Sequence, residues 1–144
     1  MSHGQCQKDA ALFSRLDAGG HRAGGFVVPA DGLTSIPADA ALLVDCLLGT
    51  GLARPVTGLY SSLIGLINEA DVPVLSCDVP SGVNADDGAI MGAAVQADCT
   101  VVMGLAKPAC ELRPGCERFG EIEVCDIGLP PELIASLSQW VSGR

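Results

Sequence analysis

The sequence predicts an α/β protein with a mostly parallel sheet. Two continuous apolar runs, Ala41 to Asp45 and Val72 to Cys77, have the pattern of strands that are buried on both faces of such a sheet. Between them, residues 58–70 show helical periodicity, with Leu59, Leu63, Ile64 and Ile67 on one face. Strand, loop, helix and strand together span roughly the 30 residues of a βαβ unit. Alternation of this kind favours an α/β architecture with parallel strands.

Local patterns predict the remaining elements. An N-terminal helix is predicted over residues 7–20, with Ala11, Leu12 and Leu16 on one face and two glycines at its end. A short strand bounded by Gly and Pro follows over residues 24–29. Two more strands are predicted within residues 97–104 and 120–128, and a helix with proline in its first turn within residues 130–141.

Length, charge and cysteine content limit the class of protein. A chain of 144 residues predicts one domain, which we place over residues 1–144. The net charge of −9 argues against a nucleic-acid groove or an anionic membrane surface, because both need basic patches. The seven cysteines form no CxxC pair and lie mostly in apolar runs, which favours reduced core thiols over a disulfide frame or a metal site. We therefore expect a cytoplasmic protein without a membrane span.

Two acidic residues end the two apolar runs of the βαβ unit. Asp45 is followed by the glycine-rich stretch "CLLGTGLARP", and Asp78 by "VPSG". In parallel sheets, ligands bind in the crevice outside the carboxyl ends of the strands, and glycines let backbone N–H groups approach a ligand. The alternative is local, since Asp78 could begin an Asx turn before Pro80 and Asp45 could cap its loop. Both acids together on neighbouring strand ends favour a site.

Four segments resemble a known family in their order and spacing. "LLVDCLLGTGL", "PVLSCDVPSGVNADDG", "ADCTVVMGLAKP" and "GEIEVCDIGLP" are similar to the YjeF N-terminal domain, the family of NAD(P)H-hydrate epimerases. The similarity runs from about Asp9 to Pro130, and its two main motifs begin at acids that lie 33 residues apart. The resemblance implies a three-layer αβα Rossmann-like fold. It also implies an isomerase of metabolite repair, which interconverts the R and S forms of hydrated NADH and NADPH (NAD(P)HX).

The resemblance also implies roles for individual residues. It places the acid–base group at Asp78 and a potassium ion at Asp45 and Ser81. Hard cations prefer such oxygen ligands. The substrate is expected against Asp78 and a loop made of Gly49, Thr50, Gly51, Leu52, Ala53, Arg54 and Pro55. We further expect an ADP- or ATP-dependent NAD(P)HX dehydratase as a functional partner, and a homodimer.

The chain departs from the family pattern at its N-terminal side. The resemblance implies a Gly-Asn-Asn-Gly-Gly-Asp-Gly loop that supplies a potassium-binding Asn and contacts to substrate phosphate. This loop does not occur in the sequence. We therefore expect an N-terminally truncated domain with exposed apolar strand edges. A non-catalytic nucleotide-binding or protein-interaction module of the same fold is the alternative. Lys107 matches a Lys-Pro position of the family, but as a lone lysine it is predicted to be a solvated surface charge.

Overall fold

The computed structural model describes residues 13–16, 22–25 and 33–135. The chain falls into two compact units, Met1–Ile36 and Pro37–Arg144. In the first unit, strand β1 (Phe13–Leu16) pairs antiparallel with strand β2 (Arg22–Gly25). Phe13 lies opposite Gly25, and Leu16 opposite Arg22.

The helix predicted over residues 7–20 is wrong where the structure describes it, because Phe13–Leu16 is a strand. Pairing with β2 overrides the helix propensity of this segment, which is only a weak preference. The glycines interpreted as a helix stop, Gly19 and Gly20, lie outside the described residues. The strand predicted at residues 24–29 overlaps β2 at residues 24 and 25. Residues 26–29 lie outside the described ranges.

The second unit contains a four-stranded, all-parallel sheet. Its strands are β3 (Leu43–Asp45), β4 (Val74–Cys77), β5 (Cys99–Met103) and β6 (Glu121–Cys125), in that order across the sheet. Helix α1 (Leu59–Asn68) follows β3 in the chain and precedes β4, so the predicted βαβ unit is confirmed. Two short 3-10 helices, Pro108–Cys110 and Gly115–Arg118, precede β6. The α/β fold class is therefore confirmed.

A helical stretch lies at the C-terminal end of the described residues. Residues 131–135 are helical, and the Leu133 N–H donates to the Pro130 carbonyl at 3.0 Å. The rest of the helix predicted over residues 130–141 lies outside the described residues. Within the ranges that the structure describes, no helix has the length and apolar character needed to cross a membrane.

One face of the sheet carries the core. Alternate residues of β4 and β5 point to this face, and Ser76 and Thr100 are fully buried there. Ile64 of α1, 1% exposed, packs with Val74 in one apolar cluster, while Phe119 and Val102 belong to a second. Burying a side chain the size of Ile64 stabilises the fold by about 1.5–3 kcal/mol. The core thus fixes the strands whose carboxyl ends carry the acids.

The apolar run that forms β3 is not buried on both faces. β3 lies at the edge of the sheet, and Val44 is 56% exposed. The prediction of two buried faces is wrong here, because an apolar run shows which residues can be buried but not whether a layer covers them. All residues of the other edge strand, β6, are exposed as well. Exposed apolar residues at the sheet edges, which the sequence predicted, are therefore observed.

Candidate active site

The two acids lie at the same edge of the sheet. Asp45 is the last residue of β3, and its register partner on β4 is Ser76. Asp78 directly follows β4, two residues after Ser76. Because β3 and β4 are parallel neighbours, both acids are at the carboxyl edge, where ligands bind in open parallel sheets.

Asp45 is buried and fully hydrogen-bonded. It is 1% exposed, and its Oδ2 accepts from the Ser76 hydroxyl at 2.9 Å and from the Ser81 N–H at 2.8 Å. Its Oδ1 accepts from the Ser81 hydroxyl at 2.6 Å and from the Leu47 N–H at 3.3 Å. All four partners are donors, so the group acts purely as an acceptor, which is the role of an ionised carboxylate. All four are also neutral, and Asp45 makes no ion pair with any residue that the structure describes.

Ser81 connects the loops that follow β3 and β4. Its hydroxyl donates to Asp45 and accepts from the Leu48 N–H at 2.8 Å. The next residue, Gly82, has a φ of +97°, and a Cβ there would stand 1.9 Å from the Ala93 carbonyl oxygen. Glycine is therefore required at this position by both conformation and close packing. The Ser-Gly pair of the motif holds the loop against the Asp45 carboxylate.

Asp78 has a different environment. Its backbone adopts a φ of +69°, a left-handed conformation that Asp and Asn tolerate better than most residues. Oδ1 accepts from the Met103 N–H at 2.9 Å and forms an ion pair with Lys107. Oδ2 makes no hydrogen bond with the described residues, and no buried side-chain oxygen or nitrogen among them lacks a partner. Oδ2 therefore faces solvent.

Lys107 is a site residue that the sequence interpretation missed. Its ammonium group contacts Asp78 and also donates to the Met103 carbonyl at 2.8 Å. The side chains of Lys107 and Asp78 are only 20% and 24% exposed, so the prediction of a solvated lysine is wrong. A usable signal was its position four residues after the end of β5. Because β5 neighbours β4, this places Lys107 at the same carboxyl edge as Asp78.

The loop after β3 lies against the loop after Asp78. The Asn84 side-chain amide donates to the Leu52 carbonyl at 3.3 Å, and the Val56 N–H donates to the Met91 carbonyl at 2.7 Å. Gly49 and Gly51 are exposed, and no atom lies within 4 Å of the place where a Cβ would stand. Packing within the described protein thus gives no reason for these two glycines, and the space beside them is open to a ligand.

A cleft opens beside this loop. Its volume is about 600 Å³, which lies within the range of small-molecule sites. The Arg54 guanidinium makes no ion pair with any described residue, so it is available to an anionic group. The cleft is lined mainly by apolar side chains: Leu48, Leu52, Arg54, Pro55, Val56, Thr57 and Tyr60.

The geometry separates the two acids chemically. Asp45 and Ser81 contact each other directly, whereas the hydrogen-bond partners of Asp45 and Asp78 do not overlap. The local alternative explains only part of this arrangement. The hydrogen bond from the Leu47 N–H caps the loop at Asp45, but it is the longest of the four. Asp78 bonds to Met103, the last residue of β5, and to Lys107 rather than to its own turn.

These features define a class of protein. A parallel α/β sheet, acids at neighbouring strand ends and an open glycine-containing loop are typical of Rossmann-like proteins with a small-molecule crevice. The model of the family described as "YjeF-related protein N-terminus" matches residues 6–109, which is most of the chain. The chain belongs to this family, and its fold is Rossmann-like.

Named relatives extend the comparison. The chain is 46% identical over 91 residues to an NAD(P)H-hydrate epimerase of Levilactobacillus brevis, which covers 63% of this chain and 42% of the relative. It is 41% identical over 107 residues to the bifunctional NAD(P)H-hydrate repair enzyme Nnr of Synechocystis sp., covering 74% and 20%. A Salinibacter ruber protein of the same name is 38% identical over 129 residues, covering 88% and 23%. The chain thus spans less than half the length of these relatives.

Proposed function

We propose that this chain carries the acid–base site of an NAD(P)H-hydrate epimerase. The observation that supports the proposal most directly is the asymmetry of Asp78. One of its carboxylate oxygens is held by Met103 and Lys107, while the other is free and faces solvent at the ligand edge. A positioned carboxylate with one free oxygen suits proton transfer to and from a bound molecule. The names of the relatives supply the reaction.

The chemistry requires a single acid–base group. The hydrated carbon of the substrate carries a hydroxyl beside a ring nitrogen, and a proton that Asp78 gives to that hydroxyl lets it leave as water. The iminium-like cation that remains is stabilised by the carboxylate of Asp78. Water then adds to the opposite face of the ring and releases a proton to solvent, and Asp78 takes a proton back from solvent. Lys107 and the Met103 N–H hold the other oxygen and so fix the orientation of the group.

We propose that the substrate lies in the cleft beside residues 49–55. The open space at Gly49 and Gly51 allows a close approach to the backbone of Thr50 and its neighbours, and apolar side chains suit the flat face of a nicotinamide ring or adenine. Arg54 has no counter-ion among the described residues, which suits a phosphate group of the nucleotide.

We propose that Asp45 and Ser81 hold a potassium ion. The donor set fits, since a carboxylate and a hydroxyl are oxygen ligands of the kind that hard cations take. A buried carboxylate with only neutral donors around it also lacks the positive partner that buried charges normally have. When bound, the ion supplies a fixed positive charge beside Asp45. The oxygens that this chain can offer to the ion are Asp45 Oδ1, whose hydrogen bond from the Leu47 N–H is long at 3.3 Å, and the Ser81 hydroxyl, which has a second lone pair.

Domain, partner and location follow as further proposals. The family match extends from residue 6 to residue 109 and so crosses both compact units, which supports one partial YjeF-type domain over residues 1–144. Relatives named as bifunctional repair enzymes support a NAD(P)HX dehydratase as functional partner. We also propose a homodimer and a cytoplasmic location for a repair enzyme of this kind.

A second function is favoured by one specific observation. The sequence lacks the Gly-Asn-Asn-Gly-Gly-Asp-Gly loop that the family resemblance assigns to phosphate and ion binding. A non-catalytic module of this fold that binds a nucleotide or a protein is the alternative, but it gives no reason for a carboxylate with one free oxygen at the ligand edge.

The deciding experiment starts from purified R-form NADPHX. The chain is added, and the appearance of the S form is followed by chromatography against the spontaneous rate in buffer. The epimerase proposal predicts a rate that increases in proportion to protein concentration. A spontaneous rate together with saturable binding, measured by calorimetry, would instead support the binding module.

A further inference from the structure

Two cysteines adjoin the two acids. Cys46 directly follows Asp45, and Cys77 directly precedes Asp78. The β3–β4 register pairs Asp45 with Ser76, so the same register carried one residue further sets Cys46 opposite Cys77. Neighbouring strands lie about 4.7–4.9 Å apart. Disulfides form between residues whose Cα atoms are about 4.4–6.8 Å apart, so a bridge can span this pair.

Both thiols are on the same side of the sheet. Side chains alternate along a strand, and Asp45 and Ser76 point to the covered face, where both are buried. Cys46 and Cys77 therefore point to the opposite face. Cys46 is exposed, Cys77 is half-buried, and both are free thiols. Neither thiol takes part in the hydrogen bonds that hold Asp45 or Asp78.

The two thiols also interact. The Cys46 and Cys77 side chains lie within hydrogen-bonding contact of each other, in agreement with the strand register. The pair is therefore reduced, adjacent and accessible from solvent at Cys46.

We propose that Cys46 and Cys77 form a redox-sensitive dithiol, which a low-molecular-weight disulfide such as oxidised glutathione converts into an intramolecular disulfide beside the acid site. The Cys46 thiolate attacks one sulfur of oxidised glutathione, forms a mixed disulfide and releases one glutathione. The Cys77 thiolate then attacks the Cys46 sulfur and releases the second glutathione. The protein loses two electrons and two protons, and the two glutathione molecules carry both away.

The bridge would act on the site through the backbone. It would join residues that are each one position from an acid, and Asp78 holds its left-handed φ directly beside Cys77. Fixing the separation of the two strand ends changes how Asp78 is presented to a ligand, so oxidation reduces epimerisation and reduction restores it. This consequence rests on the proposed function, whereas formation of the bridge does not.

The test uses the full chain, reduced and then freed of reductant. One equivalent of oxidised glutathione is added, and free thiols are counted after unfolding. We expect the seven thiols to fall by two, to five. The remaining free thiols are then alkylated, and the protein is cleaved after Glu69, which lies between the two cysteines in the sequence. Mass spectrometry should find the Cys46 and Cys77 peptides joined and without glutathione.

Single variants make the result specific. Cys46→Ser and Cys77→Ser should each retain glutathione on the remaining partner and give no joined peptides. Cys125→Ser is the matched control, because Cys125 is also exposed at a strand end, and it should form the bridge as the unaltered chain does. A bridge from Cys77 to Cys99, or glutathione on Cys46 with no bridge, would overturn the proposal.

The activity measurement separates the two proposals. With the bridge confirmed by mass, epimerisation should fall in the unaltered chain, recover with dithiothreitol and remain unchanged by oxidant in Cys46→Ser. Full activity of the bridged protein would refute the effect on the site. If the reduced chain shows no epimerisation at all, the proposed function fails, and the dithiol is still decided by the joined peptides.

Discussion

Asp45 and Asp78 have matching positions at the ends of neighbouring strands, yet their surroundings are opposite. Asp45 is almost fully buried and has four neutral donors on its two oxygens. Asp78 is partly exposed, is paired with the charged Lys107, and leaves one oxygen free. The same sequence pattern, an apolar run followed by an acid and a glycine-containing loop, thus places two carboxylates in different environments.

The difference in burial and hydrogen bonding gives the two carboxylates different roles. A buried carboxylate with hydrogen-bond donors on both oxygens serves mainly to order the loops that bond to it. Hydrogen bonds to a charged group are worth about 1.5–3 kcal/mol each, so this ordering is substantial. A carboxylate with one anchored and one free oxygen is positioned for chemistry instead. Substitutions at Asp78 and its partner Lys107 should therefore affect catalysis, and substitution of Asp45 should affect stability.

The largest expected effect is on catalysis at Asp78. Asp78→Asn should reduce epimerisation by about 10²–10⁴-fold, because the amide cannot transfer the proton or supply the negative charge. The fold should persist, since Asn also tolerates the left-handed backbone at this position. The rate of R-to-S conversion and the melting temperature measure the two effects.

Asp86→Asn is the matched control for this substitution. Asp86 is an exposed acid in the loop that follows Asp78. Among the described residues its side chain has no hydrogen-bond partner, and its backbone N–H donates to the Asn84 side-chain oxygen at 2.8 Å. It should keep full activity. Equal activity of Asp78→Asn and the unaltered chain would refute the acid–base role outright.

The next effect concerns stability at Asp45. Asp45→Asn should destabilise the fold by about 1–3 kcal/mol, because the amide NH₂ would face buried donors from Ser76 or Ser81. Urea unfolding should show a lower midpoint with an unchanged slope. Asp71→Asn, at an exposed acid, should leave the midpoint unchanged. If both variants unfold at the same midpoint, Asp45 does not hold the loops as described.

A smaller effect is expected at Lys107. Lys107→Met should lower kcat about tenfold with little change in KM, because it removes one charge-assisted anchor of Asp78 but no contact to substrate. Stability should fall by about 1 kcal/mol, since the pair is mostly buried but Asp78 keeps the hydrogen bond from the Met103 N–H. Lys107→Arg keeps the charge and should recover part of the rate. An unchanged kcat in Lys107→Met would show that Asp78 needs no such anchor.

The parts of the molecule that the sequence predicted are local ones. The βαβ unit was predictable because β3, α1 and β4 follow one another within a short stretch and carry clear periodicities. The hairpin of β1 and β2 was not, since its segment has helix-forming residues and is a strand only through pairing. Lys107 was missed because its partner lies 29 residues away in the chain. The contrast between the two acids was equally hidden, because burial depends on which face of the sheet is covered.

The smallest expected effect concerns the ion at Asp45. If Asp45 and Ser81 hold potassium, the melting temperature should be higher in KCl than in LiCl of equal ionic strength, because an ion that binds only the folded state stabilises it by mass action. The shift should be small, since most lone pairs of Asp45 are already engaged within the protein. Ser81→Ala is a direct control: it removes one proposed ligand, and its melting temperature should no longer distinguish the two salts. Identical melting curves of the unaltered chain in KCl and LiCl would remove the ion from this site. Asp45 would then be a carboxylate that the neutral donors of Ser76, Ser81 and Leu47 stabilise alone.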